Sequence, residues 1–283
     1  MIFVTGATGN IGTELVKQLL TKGVSLRVLT RDEAKVSHLD PSVERFIGDR
    51  HDAATVRRAL AGVEKVFMLA VLFDKNHEAD RLLVEEAKRA AVRHIVFISS
   101  SEARMEPKGA IGGLHREKEQ LIEDSGIPWT FLHPGGFMSN ALQWVGTIKS
   151  QAKVFNPSGD GKSAPISPSN IAAVAARALT SAGHEGKTYH LTGAELLSVP
   201  DQVLVLSKVI GKPIQAVDIP IEVATERAVA AGLPKVLADS LATIWIRIRD
   251  GQGAFQTDEV EQLTGRPAQT FETWSSEHRS AFV

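Results

Sequence analysis

Glycines at positions 6, 9 and 12 open the chemistry of this chain. They stand in Thr5-Gly6-Ala7-Thr8-Gly9-Asn10-Ile11-Gly12, directly after a short apolar run and directly before a helical pattern. Gly6 suits the tight turn out of a strand. Gly9 lets backbone N–H groups approach a pyrophosphate, and Gly12 allows a helix to pack closely on the strand. Thr8, Asn10 and Ile11 complete the loop, and the helix N-terminus behind it offers unpaired N–H groups and positive dipole to phosphates. In its strand–turn–helix setting the spacing points to dinucleotide binding. The alternative is a loop of the same shape that no longer holds a nucleotide.

The choice of dinucleotide turns on the end of the second strand, where an NAD site places a carboxylate on the ribose. Here that place is Thr30-Arg31, with Lys35 one turn on. Arg31 is suited to paired charged hydrogen bonds with a 2′-phosphate and Lys35 to a second point charge, so NADP(H) is preferred. NAD(H) stays open, because Asp32 is within reach of a ribose and both cations have the alternative of lying solvated on the surface. Asp49, after the third strand, is a candidate for the adenine amine, or the acid of a plain turn.

Further contacts are expected where later strands end. Ala70 and Val71 are candidate cofactor contacts, and Leu72 and Phe73 a candidate wall of the acceptor site. Ser99 and Ser100 close the fifth strand, placed to donate to cofactor or substrate, or to satisfy local backbone. Pro134, Gly135 and Phe137 follow the sixth strand as expected walls of a nicotinamide, with Phe137 or Met138 facing the acceptor.

The elements that must position these groups alternate from the start. Strands are predicted at Ile2 to Thr5, Leu26 to Thr30, Glu44 to Ile47, Lys65 to Ala70, His94 to Ser99 and Trp129 to Leu132. Amphipathic helical segments such as Gly12 to Thr21 and Ala79 to Ala91 lie between them. The expected fold class is α/β: a Rossmann-type doubly wound parallel sheet with a smaller, mostly helical C-terminal substrate lobe. The dinucleotide-binding domain is read as 1–135, rejoined by 171–193, and the substrate lobe as 136–170 and 194–283. Asn170 is placed to cap a helix over Ile171 to Thr180, and Thr188 to Leu191 reads as a returning strand.

Composition narrows the classes. A net charge of -1 with basic residues spread along the chain gives no footprint for nucleic acid. The longest apolar run, Val66 to Phe73, is far short of a membrane span, and Met1 to Thr5 already reads as strand, so a cytoplasmic protein without a signal peptide is expected. With no cysteine, and nine histidines scattered without an i, i+4 pair, no metal is expected and redox chemistry must come from a cofactor. A homodimer stays open.

The glycine loop, Ser99-Ser100-Ser101 and His115-Arg116-Glu117-Lys118-Glu119 together resemble the NmrA-like branch of the atypical extended short-chain dehydrogenase/reductases. Ser125-Gly126-Ile127-Pro128-Trp129 through Pro134-Gly135-Gly136-Phe137-Met138-Ser139-Asn140, Tyr189-His190-Leu191-Thr192-Gly193 and Glu259 to Pro267 carry the resemblance through the chain. It implies an oxidoreductase that reduces a quinone, azo compound or dye with NADPH and without flavin, or a regulator that senses NADP(H) and catalyses nothing. The wider superfamily uses a Tyr and a Lys four residues later. Matched on Glu119, those places hold Ile111 and His115, so the phenol that protonates a carbonyl is missing. Simple ketones are then poor acceptors, whereas conjugated ones give a delocalised or neutral product that water protonates afterwards. On this alignment His115 and Ser99 are the candidate catalytic residues, His115 toward the nicotinamide ribose or the substrate oxygen, or else a structural histidine at the helix start. His133 stands where relatives often have Arg, and its role is open. Tyr189, the only tyrosine, reads as structural.

Overall fold

The computed structural model describes residues 1–69, 77–106 and 109–283. In chain order the strands are β1 (Ile2–Val4), β2 (Leu26–Thr30), β3 (Glu44–Ile47), β4 (Lys65–Leu69), β5 (His94–Ile98), β6 (Trp129–Pro134), β7 (Lys153–Asn156), β8 (Lys187–Leu191) and β9 (Gln215–Asp218). The α-helices are α1 (Asn10–Leu20), α2 (Ala53–Leu60), α3 (Glu78–Arg89), α4 (Ala110–Ser125), α5 (Val145–Gln151) and α6 (Pro168–Thr180). Beyond them come α7 (Val199–Ile210), α8 (Ile221–Ala230), α9 (Lys235–Arg249), α10 (Glu259–Thr264), α11 (Phe271–Glu277) and α12 (Arg279–Phe282).

Seven strands form one sheet in the order β3-β2-β1-β4-β5-β6-β8. The pairings from β3 across to β6 are all parallel. The chain starts at β1 in the middle, winds outward to β3, returns to β4 and winds the other way. This is the doubly wound α/β fold expected from the sequence, with its strand order reversing between β1 and β4. A parallel sheet covered on both faces needs nearly continuous apolar strands, and all of β5 is buried. On one face Phe3, Val66, Met68, Ile95, Phe97 and Phe131 pack with Val56 and Leu60 of α2, Leu83 and Val84 of α3, and Ile122 of α4.

Residues fall into two compact units. The first comprises Met1–Arg104, Gly112–His133 and Ile171–His190; the second comprises Met105–Ile111, Pro134–Asn170 and Leu191–Val283. The second unit has its own core, in which Met138, Ile148, Val154, Leu206, Phe271 and Trp274 meet. It also holds a feature the sequence reading left out, a two-stranded parallel sheet of β7 and β9. α6 starts earlier than expected. Pro168 takes its first position, so Ser167 is the capping residue: its Oγ accepts from Asn170 N–H at 3.2 Å. Asn170 instead accepts from Gln269 N–H through its Oδ1, at 2.8 Å. No described helix is long and apolar enough to cross a membrane.

Candidate active site

The glycine loop has the geometry its sequence requires. Gly6 takes a left-handed φ of +65° and its carbonyl accepts from Gly9 N–H at 3.0 Å, which closes the turn out of β1. Thr5 ties that turn to the neighbouring strand, accepting from Leu69 N–H at 2.8 Å and donating its hydroxyl to Phe67 O at 3.2 Å. A Cβ on Gly12 would lie 2.0 Å from the Gly6 carbonyl oxygen, so only glycine lets α1 come this close to the loop. Gly9 precedes α1 as its cap and offers no side-chain acceptor. The first N–H groups of the helix are thus left for another partner.

Beside the loop lies a cavity of about 260 Å³, lined by Thr5, Gly6, Thr8, Leu29, Thr30, Arg31, Asp32, Lys35, Gly48 and Arg50. Arg31 and Lys35 therefore share one cleft with the turn. Arg50 joins them, a cation that the sequence reading passed over although it stands next to Asp49 beyond β3. Both acids also accept hydrogen bonds from their own turns. Asp32 accepts from Ala34 N–H at 3.0 Å through Oδ1, capping its own short turn, and also lines the cleft. Asp49 lies outside the lining and accepts from His51 N–H at 3.0 Å, with His51 Nδ1 at the same distance. Those two hydrogen bonds, with the nearby charges of His51 and Arg31, hold its carboxyl below the ordinary value.

Deeper in the first unit, β5, β6 and α4 assemble a second polar group. Ser99, first residue beyond β5, donates its hydroxyl to Glu119 Oε1 at 2.5 Å, and His133 Nε2 meets the same oxygen at 2.6 Å. Arg116 Nη1 reaches Oε2 at 3.1 Å and Arg104 lies 3.7 Å from it. Glu119 and His133 are completely buried. Burial alone would raise the Glu119 pKa; the hydrogen bonds from His133 and Ser99 and the charges of His133 and Arg104 outweigh it and hold the carboxyl below its ordinary value. His133 thus gains a role as a partner of the buried acid.

His115 lies one turn before Glu119 on the same face of α4 and is buried. Its Nδ1 has no hydrogen-bond partner among the described residues. Burial, reinforced by the Lys118 charge, lowers its pKa to about 4, so it is a neutral imidazole at physiological pH. His94, at the other end of β5, is lowered to about 4 mainly by burial as well. The unfolded chain protonates histidines near pH 6.5. The stability these two contribute is full above that pH and is lost as pH falls toward 4. Melting temperature should fall steadily over that window, and His115→Gln should flatten the fall; curves of wild type and variant that run parallel would contradict it.

Ala70, Val71, Leu72 and Phe73 lie outside the described residues. Pro134, Gly135, Phe137 and Met138 belong to the second unit. Phe137 is half-buried, but Met138 packs into that unit's core with Ala141 and Trp274, because the backbone bond from Met138 N–H to Ile166 O turns it inward. That leaves Phe137 of the pair as the candidate for facing an acceptor. Tyr189 is structural, its hydroxyl 2.8 Å from His184 Nδ1. No cluster of metal-ligating side chains occurs among the described residues.

Comparison with known proteins gives the family. Residues 6–182 match the model of an NAD(P)H-binding family. The NAD(P)H azoreductase of Xenophilus azovorans is 35% identical over 283 residues, covering 100% of this chain and 99% of that protein. The (4-alkanoyl-5-oxo-2,5-dihydrofuran-3-yl)methyl phosphate reductase of Streptomyces griseus is 38% identical over 285 residues, again covering 100% and 99%. The crystal structure of the NADPH-dependent quinone oxidoreductase of Escherichia coli complexed with NADPH superposes with a TM-score of 0.87 at 29% identity, over 98% of this chain and 99% of that one. By its loop, its sheet order and these full-length matches, the chain belongs to the NAD(P)H-binding family, in the NmrA-like branch of the atypical extended short-chain dehydrogenase/reductases.

Proposed function

We propose that this chain is an NADPH-dependent reductase that passes hydride to a conjugated acceptor of quinone, azo or dye type, without an acid–base pair of Tyr and Lys and without flavin. The observation that carries the cofactor half is the cleft where Arg31, Lys35 and Arg50 meet beside the glycine loop. Three cations in that lining against the single carboxylate of Asp32 fit the extra phosphate of NADP(H) better than a bare ribose. The relatives carry the acceptor half: an azoreductase, a quinone oxidoreductase and a reductase of an unsaturated lactone all take conjugated acceptors.

When bound, the dinucleotide supplies the hydride. The chain's own residues do the rest. The glycine loop and the start of α1 hold the pyrophosphate, and the three cations hold the 2′-phosphate. His115, neutral and with Nδ1 unpartnered among the described residues, hydrogen-bonds the nicotinamide ribose or the acceptor. Since Ile111 stands where a proton-donating Tyr would be, rate enhancement comes from proximity and orientation, and the product takes its proton from water. Residues 136–170 and 194–283 form the substrate lobe in this reading.

Purified protein free of flavin should consume NADPH when a small quinone or azo dye is added. Arg31→Ala should weaken NADPH binding by roughly 10- to 100-fold, the worth of a charged bidentate contact, and leave NADH unchanged. Tight binding with no turnover across quinone, azo and dye acceptors would favour a nucleotide-sensing regulator. Equal loss of both nucleotides in the variant would remove Arg31 from phosphate recognition.

A further inference from the structure

We propose that Glu119 is a positioning residue for the nicotinamide half of the bound dinucleotide, acting by fixing the polarity of Ser99. The inference rests on the dinucleotide reading above. A serine hydroxyl has one proton and two lone pairs. In this structure the proton is committed: Ser99 donates it to Glu119 Oε1 at 2.5 Å. Ser99 therefore meets any further partner as an acceptor. It cannot act as the proton donor that a simple carbonyl reduction would require of a serine in this place.

Several features hold that polarity in one direction. Glu119 is fully buried and is an acceptor only, since the bonds from His133 and Ser99 keep it ionised. His133 from β6 and Arg116 and Arg104 fix its two oxygens, so the carboxylate cannot turn away from Ser99. Ser99 stands at the carboxyl end of β5, one strand from the β1/β4 reversal where a doubly wound sheet receives its ligand. The matching ligand groups are hydrogen-bond donors: the carboxamide N–H of nicotinamide or a hydroxyl of its ribose. His115, a turn from Glu119 on the same face of α4, has an Nδ1 without a hydrogen-bond partner among the described residues.

Glu119→Gln reverses the arrangement with little change in size. Arg116 and Arg104 both claim the one amide oxygen, so the amide N–H₂ faces Ser99 and donates to it, and the Ser99 proton turns outward against the ligand's own donors. Titrations of wild type, Ser99→Ala, Glu119→Gln and the double variant with NADPH, and separately with 2′,5′-ADP, read this directly. 2′,5′-ADP carries the adenosine and 2′-phosphate but no nicotinamide.

Each single variant should weaken NADPH by about tenfold, the worth of one good hydrogen bond, and the double variant no more than the worse single. Affinity for 2′,5′-ADP should be unchanged in all of them. Glu119→Gln that leaves NADPH affinity intact overturns the proposal, as does Ser99→Ala that leaves it intact. A Glu119→Gln protein that loses both ligands equally assigns Glu119 to structure alone and also overturns it. Wild type that binds neither ligand overturns the dinucleotide reading itself, an outcome separate from the others.

Discussion

Gly12→Ala should lower kcat/KM for NADPH-driven reduction by on the order of 100-fold while the chain still folds. The added Cβ would sit 2.0 Å from Gly6 O and 2.7 Å from the Gly6 carbonyl carbon. Both are backbone atoms of a turn pinned to β4 by Thr5, so no flexible side chain can give way. Either α1 moves outward by an ångström or more, or the turn does. Both movements displace the N–H groups that face the pyrophosphate, while overpacking itself costs about 1–3 kcal/mol. Gly9→Ala is the comparison, because its Cβ would meet Gly6 O at 3.4 Å and needs no backbone shift. The thermal midpoint should drop for Gly12→Ala and stay near wild type for Gly9→Ala. A Gly12→Ala enzyme with wild-type KM for NADPH would show that helix and loop are not held in this register.

The first half of the fold is legible because its physics is local. Strands such as His94–Ile98 are buried on both faces and therefore read as unbroken apolar runs, and a glycine spacing is visible wherever it occurs. What escaped was short or distant. β7 and β9 have four residues each with charged or amide ends, and each is stabilised by a partner some sixty positions away, so neither shows an apolar pattern of its own. Proline at the start of α6 moved the cap from Asn170 to Ser167. Arg50 was missed because the reading stopped at the acid before it; a third cation gathers with Arg31 and Lys35 only once β3 is laid beside β2. Glu119 served only as a point of alignment. Its partners Ser99 and His133 come from two neighbouring strands, and only the folded sheet brings a serine and a histidine to one carboxylate oxygen. His133 shows the same dependence, since its role was unreadable until that acid appeared opposite it.

Asp80→Ala should cost the first unit about 3–5 kcal/mol of stability without touching the proposed cofactor cleft. Lys118 of α4 is completely buried, an unusual place for a lysine, and its Nζ donates to Asp80 Oδ2 of α3. His77 Nδ1 lies 3.0 Å from the same ammonium, and His77 Nε2 meets Glu117 Oε2 at 2.7 Å. The pair gains less than its Coulomb attraction suggests, because both charges left water to form it. Removing the acid is different, since the ammonium stays buried and loses the carboxylate it donates to. The asymmetry gives the test its sign. Asp80→Ala should lower the urea midpoint strongly, whereas Asp80→Ala combined with Lys118→Met should recover most of the loss, because methionine fills similar space with nothing to solvate. The slope of the transition should stay constant across the set, so that the midpoints report stability. A double variant as unstable as the single one would mean that the cost lies in packing around α3, and that the ion pair is not what holds α3 to α4.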